Sequence, residues 1–381
     1  MDPIQLFVPT FHVDETLEEI RTCLEKGWTG MGFKTVELED AWKKYTGLPN
    51  AHYLNSATAA LHLAVLLLKK HGNWQDGDEI VTTPMTFVST NHAILYEKLT
   101  PVFADVDDML CMAPKSLEER ITHKTKAVMY VGLGGNTGHL REIKQVCVEH
   151  GLKLILDASH MAGTRWADSG NHVGGEADVS IFSFQAVKNM PTGDSGMICF
   201  KEADLDAEAR KWSWLGINKD TYSRTASQGA YKWHYDVEYP GFKYNGNSIM
   251  AAIGLVALRY LEQDNAYRRQ ICSWYDLFLK DYPDITRVPM SLDCVPSRHL
   301  YQIEVAYRDE VMLALNQAGI YPGVHYRDNT LYRMFKYANG TCPRSMRANG
   351  SIISLPLHLR LSYEQVKNVS ETLVQVVKRI S

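Results

Sequence analysis

Residues 154–160 read Leu154-Ile155-Leu156-Asp157-Ala158-Ser159-His160, and residues 180–196 read Ser180-Ile181-Phe182-Ser183-Phe184-Gln185-Ala186-Val187-Lys188-Asn189-Met190-Pro191-Thr192-Gly193-Asp194-Ser195-Gly196. Each stretch opens on an apolar run of strand length and leads to a group that can carry charge, Asp157 in one and Lys188 in the other. The same alternation extends outward. Residues 56–70 read as a helix with Ser56 at its start, and Asp76-Gly77-Asp78 makes a turn. A strand over 79–83 is ended by Pro84, and 87–99 is helical. Residues 101–105, 127–131, 152–157, 179–184 and 196–200 have the length and composition of buried strands. Strands alternating with helices over this distance predict a mainly parallel α/β sheet. Ligands of such sheets bind beyond the carboxyl ends of the strands, where Asp157 and Lys188 fall.

The pattern changes after Cys199. Residues 203–239 are polar, aromatic and irregular, with Trp212, Trp214, Trp233, His234 and Tyr235. Helices are expected over 248–264 and 266–279, then short strands at 302–306 and 352–355 mixed with helices at 309–318 and 363–380. We place the domain change near Pro240-Gly241, giving a large domain over 1–240 and a smaller α+β domain over 241–381. The 381 residues are 45% hydrophobic and 22% charged with a formal net charge of -4, so no global field favours nucleic acid. Seven cysteines (23, 111, 147, 199, 272, 294 and 342) are odd in number and far apart, which fits free thiols better than disulfides or a metal site. No basic start precedes an apolar run at the N-terminus, and the longest apolar run, 59–68, is too short to span a bilayer. The expectation is a cytoplasmic, two-lobed protein with no membrane contact.

Four features of the first lobe point to a flat cofactor that carries phosphate. Asn55-Ser56-Ala57-Thr58-Ala59-Ala60 leads into a helix, whose N-terminal amides and small residues let a phosphate approach; taken alone, an ordinary Ser/Thr cap is the commoner explanation. Asp157 ends an apolar strand, where a buried carboxylate calls for a cationic partner such as a protonated pyridine; the alternative is a helix cap. Lys188 follows an apolar strand and precedes a loop with two glycines, a place from which its amine can reach back and condense with an aldehyde; most lysines are instead solvated. Phe87 follows a strand end, where its ring could stack on a planar group or simply join the core.

In this order and spacing the chain resembles the DegT/DnrJ/EryC1/StrS family of sugar aminotransferases. The resemblance begins at Gly27-Trp28-Thr29-Gly30-Met31-Gly32 and runs through residues 55–61, 76–80, 157–163 and 182–196. It continues in Pro240-Gly241-Phe242-Lys243-Tyr244-Asn245, Ala251-Ala252-Ile253-Gly254, Gly319-Ile320 and His325-Tyr326. It implies the aspartate-aminotransferase-like fold type I of pyridoxal-phosphate-dependent transferases, with pyridoxal 5'-phosphate held covalently by Lys188. It further implies Asp157 on the pyridine nitrogen, His160 beside the ring near its phenolic oxygen, Phe87 stacked on the ring, and Thr58, Ala59 and Ser183 on the phosphate. Asn245 matches an asparagine that reaches the partner subunit's phosphate, which implies a homodimer with shared active sites.

The implied activity moves an amino group from an amino acid, L-glutamate by resemblance, to a nucleotide-linked keto-sugar in amino-sugar and polysaccharide biosynthesis. The chain also departs from the pattern. Gly193-Asp194-Ser195-Gly196 stands for Gly-Glu-Gly-Gly, Gly132 to Gly138 replaces a His-x-x-Gly segment, Gln185 stands where His is frequent, and Lys243 occupies the place where many members carry their asparagine. These changes cluster at the substrate mouth, where His325, Tyr326 and residues 221–239 are candidate sugar contacts. A sugar dehydratase of this fold would replace the lysine or add cysteine-bound clusters. A desulfurase or aldolase would lack the Trp28 and Asn245 segments, and a non-catalytic regulator would lose Lys188 or Asp157.

Overall fold

The computed structural model describes residues 3–218 and 235–380. Its centre is a seven-stranded sheet. In chain order the strands are β1 (His52–Leu54), β2 (Glu79–Thr82), β3 (Thr100–Phe103), β4 (Thr125–Val131), β5 (Lys153–Asp157), the short β6 (Arg165–Trp166) outside this sheet, β7 (Val179–Ser183) and β8 (Gly196–Phe200). Across the sheet the order is β1-β8-β7-β5-β4-β2-β3. Only β8 runs against its neighbours β1 and β7, and the other pairs are parallel. Burial on both faces explains why these strands read as continuous apolar runs rather than as alternation. Six strands therefore point their carboxyl ends to one edge, with the loops after Leu54, Thr82, Phe103, Val131, Asp157 and Ser183.

The expected helix over 56–70 forms as Ala57–Gly72, with Ser56 extended as its cap and accepting from the Ala59 amide at 3.1 Å. Two readings change. The stretch after Cys199 is not irregular throughout, because Ala203–Trp212 is a helix. Asp204 and Asp206 lie in its first turn, Arg210 and Lys211 in its last, and Leu205, Ala209 and Trp212 bury one face. The helices expected over 248–264 and 266–279 are one helix, Ser248–Leu279, of 32 residues. Asn265 stood between the two expected helices, yet it is fully buried in the one helix and donates to the Ala162 carbonyl at 2.9 Å while accepting from Asn189 at 2.7 Å.

That helix belongs to two cores. Ala251, Leu255 and Leu261 pack with the sheet's core. Ile271, Cys272, Tyr275 and Leu279 pack in a second core. The second core lies under an antiparallel sheet of β9 (Thr286–Arg287), β11 (Tyr301–Glu304) and β12 (Ile352–Leu355), in the order β12-β11-β9. The short β10 (Cys294–Val295) pairs with β6. Ile4 bridges Ile320, so the N-terminal segment lies on this second body. No helix among the described residues is long and apolar enough to cross a membrane.

Candidate active site

A cavity of about 430 Å³ opens at the carboxyl edge of the large sheet. It lies within the roughly 300–1,000 Å³ range of small-molecule sites. Its walls come from five strand ends, so residues distant in sequence meet there: Thr58, Phe87, Asp157, His160, Ser183, Lys188, His325 and Tyr326 all line it. Ala59 and Asn245 do not. Of residues 221–239, those from 221 to 234 lie outside the described residues.

The phosphate-sized end is built on the helix that starts at Ala57. The Ala59 amide is taken by the Ser56 hydroxyl, so Ala59 serves the cap. The amides of Ala57 and Thr58 have no partner among the described residues, and both residues line the cavity. Gly196 sits in the sheet between Leu54 and Ser183, and a Cβ there would stand 2.6 Å from the Ala57 amide nitrogen. A glycine is needed for the helix N-terminus to approach the strand this closely, a requirement the sequence carried only as a loop glycine. Ser183 and Ser195 add hydroxyls beside it.

Asp157 is 4% exposed. Its Oδ2 accepts from the Thr90 hydroxyl at 2.7 Å and its Oδ1 from the Ser159 amide at 3.1 Å. No helix follows it, so the helix-cap alternative falls away. Both donors are neutral, and among the described residues no cation pairs with it. A buried carboxylate in that state costs several kcal/mol unless a positive group joins it. Thr90 was not read from the sequence; the signal was its place one helical turn beyond Thr86, whose hydroxyl it meets at 2.9 Å.

Lys188 is half-buried, and its amine makes no ion pair or hydrogen bond among the described residues. Burial pushes it down to about 8, against the pull of Asp157. Phe87 is 57% exposed, so its ring is a cavity wall and not core. His160 is buried, with Nδ1 accepting from the Gly134 amide at 3.2 Å, and its Nε2 lies within hydrogen-bond distance of the Tyr326 hydroxyl oxygen, 3.1 Å away. Burial, then Lys188 and His325, hold it well below the usual imidazole range, so it is neutral. His325 bonds Ser354 through Nδ1 at 2.9 Å and is pushed down to about 4 by burial and Lys188.

Asn245 lies outside the cavity, bridged to Leu54, with its amide nitrogen giving to the Gly246 carbonyl at 2.9 Å and its buried Oδ1 unpartnered. Lys243 places its amine 3.1 Å from the centre of the Trp214 ring.

These groups fit a flat cofactor with an anionic end and a basic ring nitrogen. The lining combines helix-terminal amides without partners, a carboxylate without a cation, an exposed ring and a half-buried amine without a partner among the described residues. Comparison with known proteins agrees. Residues 12–374 match the DegT/DnrJ/EryC1/StrS aminotransferase family. The chain is 33% identical over 376 residues to the spore coat polysaccharide biosynthesis protein SpsC of Bacillus subtilis, covering 96% of this chain and 95% of SpsC. The crystal structure of the aminotransferase TlmJ from Streptoalloteichus hindustanus superposes with a TM-score of 0.91 at 28% identity, over 100% of both chains. Helicobacter pylori PseC, an aminotransferase involved in the biosynthesis of pseudoaminic acid, superposes with a TM-score of 0.90 at 25% identity, over 99% of this chain and 100% of PseC. Matched along nearly its whole length in sequence and in fold, the chain belongs to the DegT/DnrJ/EryC1/StrS aminotransferase family and is a pyridoxal-phosphate-dependent aminotransferase.

Proposed function

We propose that the enzyme takes an amino group from an amino acid, L-glutamate, and places it on a nucleotide-linked keto-sugar in amino-sugar and polysaccharide biosynthesis. The amine of Lys188, unpaired among the described residues and lining the same cavity as a carboxylate without a cation, is the observation that carries the chemistry. The parts that SpsC plays in spore coat polysaccharide biosynthesis and PseC in pseudoaminic acid biosynthesis support the sugar acceptor. Bound here, pyridoxal phosphate supplies an aldehyde for the amino group and a ring that takes up the electron pair left at the donor's α-carbon. Lys188 anchors the cofactor, and once displaced its amine takes the proton from that α-carbon as a positioned base. Asp157 holds the proton on the ring nitrogen, Phe87 covers one ring face, and His160 stands beside the ring. Thr58, Ser183 and the cap that Ala59 completes hold the phosphate. The test is a half-reaction screen in which enzyme loaded with pyridoxamine phosphate meets a panel of keto-sugars, read by mass spectrometry. Amination of a keto acid but of no keto-sugar, free or nucleotide-linked, would remove the sugar from the proposal.

We also propose the division into a cofactor-binding body over 1–240 and a smaller body over 241–381, and a cytoplasmic location, which seven cysteines free in the structure support. The working unit is a homodimer in which Asn245 reaches the partner subunit's phosphate. Its place outside its own chain's cavity supports that. Mixing inactive Lys188→Ala with inactive Asn245→Asp chains should restore activity at one site of the mixed dimer. A mixture that stays dead after proven subunit exchange rules out the shared site.

A further inference from the structure

His160 stands where the resemblance places a contact to the ring's phenolic oxygen, yet neither of its nitrogens is free for one. The Gly134 amide can only donate, so the nitrogen it meets, Nδ1, carries no hydrogen. A neutral imidazole then has its hydrogen on Nε2, which faces the Tyr326 hydroxyl at 3.1 Å. That hydrogen goes to the phenol oxygen, and the phenol's own hydrogen is left to point elsewhere. Among the described residues Tyr326 gives it to none, and its side chain lines the cavity. The order of donation is therefore fixed from one end: Gly134 to His160, His160 to Tyr326, Tyr326 into the cavity.

The ring of Tyr326 is held where such a donor is useful. Its centroid lies 5.9 Å from that of Phe87, the proposed stacking ring, and its backbone amide gives to the Met85 sulfur at 3.3 Å. Burial, helped by the nearby Asp157, pushes the phenol above its ordinary range, so it stays a donor at any working pH. His160 cannot reverse the chain by taking a proton, since burial and the charges of Lys188 and His325 hold it neutral.

We propose that Tyr326 is the hydrogen-bond donor to the phenolic oxygen of bound pyridoxal phosphate, and that His160 acts on the cofactor only by aiming Tyr326. This rests on reading the cavity as the cofactor site. A donor aimed at that oxygen favours its anionic form, so the bound cofactor's visible absorbance should titrate at higher pH once the donor is lost.

The experiment reconstitutes wild type, Tyr326→Phe and His160→Phe with pyridoxal phosphate and follows the visible band against pH, with cofactor affinity measured by fluorescence. Tyr326→Phe keeps the ring that packs and removes only the hydroxyl. Its midpoint should rise by about one pH unit or more, the scale of a hydrogen bond to a charged group, and cofactor affinity should fall about tenfold. His160→Phe, which leaves the phenol present but no longer aimed, should move the midpoint less. A Tyr326→Phe midpoint equal to that of wild type, or a larger shift in His160→Phe, overturns the assignment while leaving the cofactor site standing. Wild type that takes up no pyridoxal phosphate overturns the cofactor site and this inference with it.

Discussion

Lys188→Ala is expected to lose turnover by at least about 10⁴-fold, the upper end of what a positioned base contributes, because it removes both the anchor and the proton acceptor. The fold should survive. Lys188 is held at about 8 against an ordinary 10.5, so the folded chain disfavours its charged form. That penalty is full below pH 8 and fades as pH rises toward 10.5, so with both proteins stripped of cofactor the alanine variant should melt no lower than wild type at neutral pH. Steady-state kinetics beside circular dichroism melts check both parts, and turnover near the wild-type level would assign the chemistry to another residue.

Asp157→Asn should slow removal of the donor's α-proton by about 10²–10³-fold or more, the scale of losing one preorganised electrostatic contact. The substitution keeps shape: the amide oxygen can still accept from the Ser159 N–H, while the amide NH2 takes the other oxygen's place and can donate to the Thr90 hydroxyl. What goes is the negative charge that faces the ring nitrogen. Single-turnover measurement with α-deuterated glutamate isolates the step, since the slowed variant should show a full isotope effect. Near-normal rates would mean that the bonds to Thr90 and Ser159 are the whole role of this carboxylate.

How far the sequence foretold this site depended on whether a residue's role is set by its own neighbours in the chain. Ser56 caps its helix through local bonds, and Asp157 and Lys188 follow apolar strands, so each could be placed from the run around it. The cavity then follows from parallel strands ending at one edge. What stayed hidden depends on partners far away in the chain. Asn265 sits in a helix although it is polar, because Asn189 and Ala162 receive it. Both nitrogens of His160 are spent on Gly134 and Tyr326, 26 and 166 residues away. Three-residue β1 is too short to leave a periodic signal, yet it is the strand that leads into the phosphate end of the cavity.

The helix Ser248–Leu279 constrains how the molecule can breathe. At 1.5 Å per residue it is a rod of about 48 Å, clamped in one hydrophobic interior at its beginning and in another at its end. A conventional hinge between the two bodies would have to kink this rod, breaking bonds in its middle where Asn265 is tied sideways to Asn189, next to Lys188 in the chain. Motions that leave it straight are rotations around its long axis and adjustments in the loops that run beside it. Substrate entry is therefore left to the rim of the cavity and to those loops, while the lysine's backbone stays referenced to a stiff axle.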